Sequence, residues 1–256
     1  MTQAGGVNNG NGGGGGGGTV APLTNVARLA AAVQQAIERP RHLPGMVTFY
    51  GPPGRGKSMA AAYAATKFAA VYVECKSSWT RRALLLAVLK ELGVKEPRGT
   101  LYELTDAVSE LLVLTRRPLI VDEFDHIVAK GAVEVVRDIY EGSQAPILLI
   151  GEELMPARLA KWERFDSRQL DFIEAAPPSL DDARHLARLY CPEVKIAEDL
   201  VAAIHGASAG SVRRLCIKLE HVRRECLAVG LAAIDRARWG TRSLTAGDPP
   251  ARRRVG

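Results

Sequence analysis

An octapeptide, Gly51-Pro52-Pro53-Gly54-Arg55-Gly56-Lys57-Ser58, stands between the apolar run MVTFY (46–50) and an alanine-rich stretch that reaches about Ala69. It meets the pattern GxxxxGK(S/T) at every fixed position. It also has the setting that the pattern needs, a strand before it and a helix after it. The glycines let the backbone fold tightly, so that successive N–H groups point at phosphate oxygens. A helix starting near Lys57 adds the positive end of its dipole. Lys57 then neutralises the β- and γ-phosphates, and the Ser58 hydroxyl ligates Mg²⁺. Gly51, Pro52, Pro53, Gly54, Arg55, Gly56, Lys57, Ser58 and Met59 are therefore the candidate nucleotide-binding residues.

Residues 118–126 read PLIVDEFDH, an apolar strand that runs directly into Asp122, Glu123 and Asp125. Carboxylates so placed repel one another and resist leaving water, so they need a cation or a proton to manage. The phosphate loop answers that need. At the end of a neighbouring strand, Asp122 joins Ser58 in holding the Mg²⁺ shell, and Glu123 orients and deprotonates an attacking water. That is a hydrolase arrangement, because nucleotide binding without turnover has no obvious use for a second carboxylate. Asp125 and His126 are assigned to hydrogen bonding within the loop.

Around these motifs strands alternate with helical segments. Thr24 is placed as the cap of a first helix with apolar positions Val26, Leu29, Ala30, Val33 and Ile37. After the phosphate loop come a helix to about Ala69, a strand at 70–74 (AVYVE), a helix near 80–92 ended by Gly93, and a helix marked by Leu101, Leu104, Val108, Leu111 and Leu112. LIVD is the next strand, followed by a helix near 131–141, strand PILLIG (146–151), a helix near 152–165 and strand QLDFIE (169–174). Such alternation implies an α/β fold, a parallel sheet flanked by helices on both faces, and short continuous apolar strands suit burial on both sides. Beyond Pro177-Pro178 the pattern predicts helices alone, near 179–190, 198–206 and 210–229. Ser179 caps the first of them, with Asp181 and Asp182 in its first turn.

The expected organisation is a glycine-rich tail over 1–20, an α/β domain over 21–178, a small all-helical lid domain over 179–240 and a flexible basic tail over 241–256. The first eighteen residues hold ten of the 25 glycines, and such a segment buries nothing that offsets its ordering entropy. The basic start and apolar stretch of a signal peptide are missing, as is any run of eighteen apolar residues, which predicts a cytoplasmic protein without a membrane partner. Cys75, Cys191, Cys216 and Cys226 lack metal-ligand spacing and are expected as reduced, mostly buried thiols. The net charge of +6 permits a polyanionic partner without establishing one.

Taken in order, GPPGRGKS, LIVDEFDH, ILLIGEE, WERF and GSVRRL give residues 21–230 a resemblance to the AAA+ ATPases. Within that group the chain is most similar to the ATP-dependent DNA transposition proteins, the B protein of Mu-like phages and its TniB and TnsC relatives. The resemblance implies a P-loop AAA+ sheet followed by a helical lid, ATP and Mg²⁺ as cofactors, and hydrolysis of ATP to ADP and phosphate. Gly210 and Arg213 match the GxxR of a second-sensor arginine that reaches the γ-phosphate. Arg164 in WERF matches an arginine finger given to the neighbouring subunit, with Arg168 as the alternative. Guanidinium suits both roles, because phosphoryl transfer spreads negative charge over several oxygens.

Two departures stand out. The first-sensor position, a neutral polar residue in the family, falls on Glu152, where a carboxylate does not favour the γ-phosphate. The glycine tail leaves no room for the amino-terminal helix-turn-helix module of the phage B protein. The absence of an NKxD motif favours ATP over GTP. The partners implied are duplex DNA bound without sequence preference, further copies of the chain in an ATP-bridged ring or filament, and a transposase. A helicase-loader or origin-type ATPase is one alternative. A secretion-associated scaffold that does not touch DNA is another, and the lack of a transmembrane segment counts against it.

Two basic stretches are candidates for the DNA contact. Over 210–229, Val212, Leu215, Leu219, Val222 and Cys226 form one apolar stripe, leaving Arg213, Arg214, Lys218, His221 and Arg224 on the other faces. With Arg236, Arg238, Arg242 and the Arg252–Arg254 triplet they make a phosphate-contacting surface that reads no bases. The second stretch, CKSSWTRR (75–82), sets Lys76, Arg81 and Arg82 around Trp79, and in ring-forming relatives it faces the central channel. The competing readings are a solvated helix with basic decoration and a packing role for Trp79. The candidate DNA contacts are Lys76, Arg81, Arg82, Arg214, Lys218 and Arg224.

Overall fold

A computed structural model describes residues 23–246; the predicted glycine tail and the Arg252–Arg254 triplet lie outside the described residues. In chain order the elements are α1 (Thr24–Glu38), β1 (Met46–Tyr50), α2 (Lys57–Lys67), β2 (Val71–Glu74), α3 (Arg81–Glu91), α4 (Leu101–Thr115), β3 (Leu119–Asp122) and α5 (Asp125–Ile127). A π-helical turn, Val128–Ala132, then leads into α6 (Val133–Ser143) and β4 (Ile147–Gly151). After these come α7 (Met155–Leu159), α8 (Glu163–Asp166), β5 (Gln169–Glu174), α9 (Leu180–Tyr190), β6 (Lys195–Ile196), α10 (Glu198–Ala207), α11 (Val212–Ala228), β7 (Ala233–Ile234) and α12 (Arg236–Trp239).

The five long strands form one parallel sheet in the order β2-β3-β4-β1-β5. Every residue of β3 and β4 is buried, which explains why LIVD and ILLIG are unbroken apolar runs. Alternate side chains divide between the two faces. Val47, Phe49, Ile120, Leu148 and Ile150 pack with α1, α2 and the helical part, α9 to α11. Met46, Leu119, Val121, Ile147 and Leu149 pack with α3, α4 and α6. The α/β expectation therefore holds, with helices on both faces.

The register sets up the site. Tyr50 lies opposite Gly151 on one side and Glu174 on the other, so β1, β4 and β5 end at one level. Glu74 lies opposite Asp122. Asp122 and the loop that starts at Gly51 are thus separated by one strand, β4, or roughly 10 Å at two strand spacings.

Several local expectations change. Thr24 is the first helical residue and not the cap; its backbone N–H is taken by the Asp182 carboxylate at 2.8 Å. Ile37, predicted on the buried stripe, is 42 % exposed, while Asn25 replaces it as a buried member of that face. The helix predicted at 131–141 begins earlier, through α5 and the π turn, where Gly131 takes a left-handed φ of 73°. The helix predicted over 152–165 is two short helices. Pro156 fits only a first turn, and the backbone leaves helical geometry at Trp162, whose ring packs on the core. The helical part is not purely helical, because β6 and β7 pair in parallel. Nor does order stop at Gly240. Arg242 lies over the Trp239 ring at 4.5 Å, and the Leu244 and Ala246 carbonyls accept hydrogen bonds from Lys218.

Candidate nucleotide site

The phosphate loop leaves β1 at Gly51, whose N–H donates to the Gly151 carbonyl at 3.3 Å. Gly54 and Gly56 both take φ of 81°, the left-handed region that glycine enters without a Cβ penalty. Gly54 has a second reason to lack a side chain: a Cβ there would lie 2.5 Å from the Ser211 Oγ. The Val212 N–H donates to the Gly54 carbonyl at 2.8 Å, so the amino end of α11 is docked on the loop. Arg213, the next residue, is thereby held at the mouth of the cavity. That cavity, about 280 Å³, is lined by Lys57, Ser58, Glu123, Glu152 and Arg213 among others. Its size is near the lower end of ordinary ligand pockets, roughly 300–1,000 Å³.

Lys57 donates to the Gly51 and Pro52 carbonyls at 2.6 and 3.1 Å. Burial pulls its pKa down, while Glu123, Asp122, Glu152 and Asp125 pull it back up. The loop lysine therefore shares one field with these four acids at the β3 and β4 ends. Asp122 is buried, and both oxygens are engaged: the Glu123 N–H donates to Oδ1 at 2.8 Å, and the Tyr72 hydroxyl donates to Oδ2 at 3.1 Å. Tyr72 is a residue that sequence reasoning misses; it stands two residues before Glu74, the register partner of Asp122, and nothing in a strand alternation marks its hydroxyl. Its pKa is raised by burial and then by Asp122. Burial, then Asp122, Glu123 and Glu74, push the neighbouring Cys75 thiol up to about 12, which disfavours its thiolate at neutral pH.

Glu123 holds a left-handed φ of 52°, costly for a residue with a Cβ, and such strain concentrates at functional sites. Its carboxyl pKa is raised, first by burial and second by Asp122. These groups fit a divalent cation beside a triphosphate. An acidic pocket faces one lysine, Ser58 offers an exposed hydroxyl, and Mg²⁺ characteristically takes one or two carboxylates with waters and phosphates completing its shell. Among the described residues there is no cluster of three His, Cys, Asp or Glu fit for a metal.

Asn25 is a second residue missed from sequence. It is 5 % exposed; its Nδ2 donates to the Arg55 and Ala176 carbonyls, both at 2.8 Å, and its Oδ1 accepts from the Ala176 N–H at 2.9 Å. One amide thus ties α1, the phosphate loop and the exit of β5. The signal was present: Asn25 falls on the stripe of Leu29, Ala32 and Ala36, where a polar residue must be satisfied internally.

The candidate arginines differ sharply. Arg164 is exposed and makes no side-chain hydrogen bond or ion pair among the described residues, whereas Arg168 pairs with Glu141 at 3.1 Å. Of the candidate DNA contacts, Lys76, Arg81, Arg82 and Arg224 are exposed and Arg214 is half-buried. Arg82 donates to the Gly99 carbonyl at 2.6 Å. Lys218 overturns its prediction as a surface contact: it is fully buried beneath the 244–246 segment. A position between Leu215 and Leu219 on the apolar stripe explains why. Trp79 packs partly buried against the core, as its competing reading had it.

Residues 40–159 match the family model of the AAA domain. No curated protein matches the chain. Among solved structures it is similar to Cdc6p from Pyrobaculum aerophilum (16 % identity, TM-score 0.63, 82 % of this chain and 62 % of that one). It is also similar to the Aeropyrum pernix ORC1 protein in complex with DNA (17 %, 0.60, 84 % and 62 %) and to the Thermotoga maritima RuvB Holliday junction branch migration motor (19 %, 0.54, 82 % and 64 %). The chain spans a little under two thirds of each of these structures. Its fold is that of the P-loop AAA+ proteins, a five-stranded parallel sheet flanked by helices and followed by a helical part.

Proposed function

We propose that this AAA+ fold works as a Mg²⁺-dependent ATPase that assembles on duplex DNA through ATP held between subunits, and that it delivers target DNA to a transposase. The observation that carries the ATPase reading is the convergence of Lys57, Ser58, Glu123, Glu152 and Arg213 on one cavity at the strand ends. The loop N–H groups and Lys57 bind the phosphates, and Arg213 closes on them from the helical part. Mg²⁺, held by Ser58 and Asp122, supplies charge neutralisation at the transferring phosphoryl group. Glu123 takes the proton of the attacking water, and its raised pKa makes it a better base than an ordinary glutamate. Arg164, free of partners within its own subunit, stabilises the spread charge at the neighbour's nucleotide. Glu152 points a carboxylate into the same cavity and acts on the charge of Lys57, not as a γ-phosphate sensor.

Delivery to a transposase rests on the sequence motifs. An origin-type or helicase-loading task is the second reading, favoured by the similarity in fold to the Cdc6p and ORC1 structures, one of them in complex with DNA. Co-purification separates the two, since one reading requires a transposase as partner and the other a helicase. No helix among the described residues is long and apolar enough to cross a membrane.

Electron microscopy of the protein with ATP, Mg²⁺ and duplex DNA tests the core of the proposal. Rings or filaments are expected with nucleotide and none without it, and Lys57→Ala should abolish nucleotide binding and assembly together. Assemblies that form on DNA in Lys57→Ala without ATP would refute the bridging role.

A further inference from the structure

Asp125 looks in sequence like one more acid of the strand end, but its side chain is only 5 % exposed and both oxygens are committed. The Glu152 N–H donates to Oδ2 at 2.6 Å, and Arg158 Nη1 donates to Oδ1 at 2.9 Å. The carboxylate stands two residues after Glu123 and is anchored from behind: the Phe124 N–H donates to the Ile150 carbonyl at 3.0 Å, and the Phe124 ring is fully buried. Gly151 makes this possible. A Cβ there would lie 2.1 Å from Asp125 Oδ2 and 2.1 Å from the Met155 sulfur, so glycine is required for the close approach although its φ is ordinary.

Three segments therefore meet at one carboxylate. The first is the strained turn that carries Glu123. The second is the β4 exit, which carries Glu152 into the nucleotide cavity. The third is α7, which carries Arg158 and leads within a few residues to Arg164 on α8. We propose that Asp125 and Arg158 are positioning residues that couple a subunit's own nucleotide cavity to the arginine it offers its neighbour. This rests on the reading of Arg164 as a finger given in trans. A movement of the backbone turn at Glu123 or of the β4 exit at Glu152 displaces the Asp125 carboxylate. Arg158 follows, because a charge-assisted hydrogen bond to a shielded carboxylate is the strongest polar tether that α7 has. Arg164 is then presented or withdrawn according to the state of the cavity beside it.

Subunit mixing tests this. Arg158→Met should lower kcat by about 10²-fold, the scale of a catalytic group displaced by roughly 1 Å, with ATP affinity measured by a fluorescent analogue unchanged. Its own cavity remains whole. Adding Glu123→Gln subunits, which lack turnover but present a properly held arginine, should therefore restore hydrolysis to the Arg158→Met sites. Arg158→Lys, which keeps one charged donor, should retain most activity without mixing. Arg164→Ala mixed with Glu123→Gln is the reference. Recovery there but not with Arg158→Met overturns the coupling and leaves the finger reading standing. No recovery in either mixture overturns both. Asp125→Ala, which loses both tethers, should recover only in part, because its defect also reaches its own Glu152. Full recovery would remove Asp125 from the coupling.

Discussion

The floor and the rim of the nucleotide cavity are built on opposite plans. On the floor, Asp122 and Asp125 each have both oxygens occupied, Asn25 satisfies three backbone groups, and Lys57 is bonded to two carbonyls. By contrast Arg213, on the rim, and Arg164, on α8 outside this cavity, are exposed and form no side-chain hydrogen bond or ion pair among the described residues. Fixed dipoles and charges need no reorganisation when a substrate arrives, so a locked floor suits transition-state stabilisation. Unpaired cations serve a different end. They wait for a negative charge that comes from outside the subunit or with the nucleotide. Control then falls to the few side chains that join a locked group to a waiting one.

The sharpest way to break this contrast is to compare two neighbouring arginines. Arg164→Ala should reduce kcat by about 10³-fold or more, the scale of a lost arginine finger. Arg168→Ala removes a part-exposed pair with Glu141 and a hydrogen bond to the Ser167 hydroxyl, and should change kcat a few-fold at most and stability by under about 1 kcal/mol. Steady-state turnover of the assembled protein decides it. Equal losses at the two positions would mean that freedom from a partner does not mark the finger.

Motif and alternation made the sheet legible, because a phosphate loop needs a strand and a helix at fixed places and buried parallel strands need continuous apolar runs. All five strands of the sheet stand where the sequence put them, to within a residue. What escaped was set by tertiary contact. Whether Thr24 or Asp182 caps α1 depends on a segment some 150 residues away, and no local pattern carries that information. The break in 152–165 follows from Trp162 turning onto the core. Lys218 reads as polar by type, yet it spends its charge on carbonyls of the 244–246 segment. Asp125 is the loop hydrogen-bonder that the sequence predicts, but its partners Glu152 and Arg158 appear only when β3 and β4 lie side by side.

Glu123 joins floor and rim, and its variant sharpens the boundary. Glu123→Gln should keep ATP and DNA binding, lower kcat by roughly 10²–10⁴-fold and leave persistent assemblies. The pH dependence carries a signature. Burial first, and the Asp122 charge second, raise the folded pKa of Glu123 above its ordinary 4.5. For such an acid the native state is favoured while the group is protonated, and that contribution is lost as pH rises through the folded value. Wild-type turnover should accordingly fall in acid at a higher pH than an unperturbed glutamate would give. Glu123→Gln should melt at a higher temperature than wild type at neutral pH, with the gain vanishing below about pH 4.5. Melting curves across pH 4–8 read this directly, and a variant that melts lower at neutral pH would place Glu123 among the structural acids.

The smallest effect separates Lys218 from Arg224, two cations of one helix that sequence had grouped as DNA contacts. Lys218 is enclosed, and removing its ammonium leaves the Leu244 and Ala246 carbonyls without that donor. Lys218→Met should therefore destabilise by about 1–3 kcal/mol, reduced by whatever the apolar side chain regains through packing. It should leave the salt dependence of DNA binding unchanged, because a buried charge neutralises no phosphate. Arg224→Met should do the reverse. An exposed position should shift stability by no more than about 0.5 kcal/mol. If Arg224 touches the backbone of the duplex, the log–log slope against salt should become shallower by about 0.9. Denaturant melts and salt titrations on the same two variants measure both quantities. A slope change in Lys218→Met would mean that the carboxy-terminal segment, and not α11, presents the phosphate-binding face.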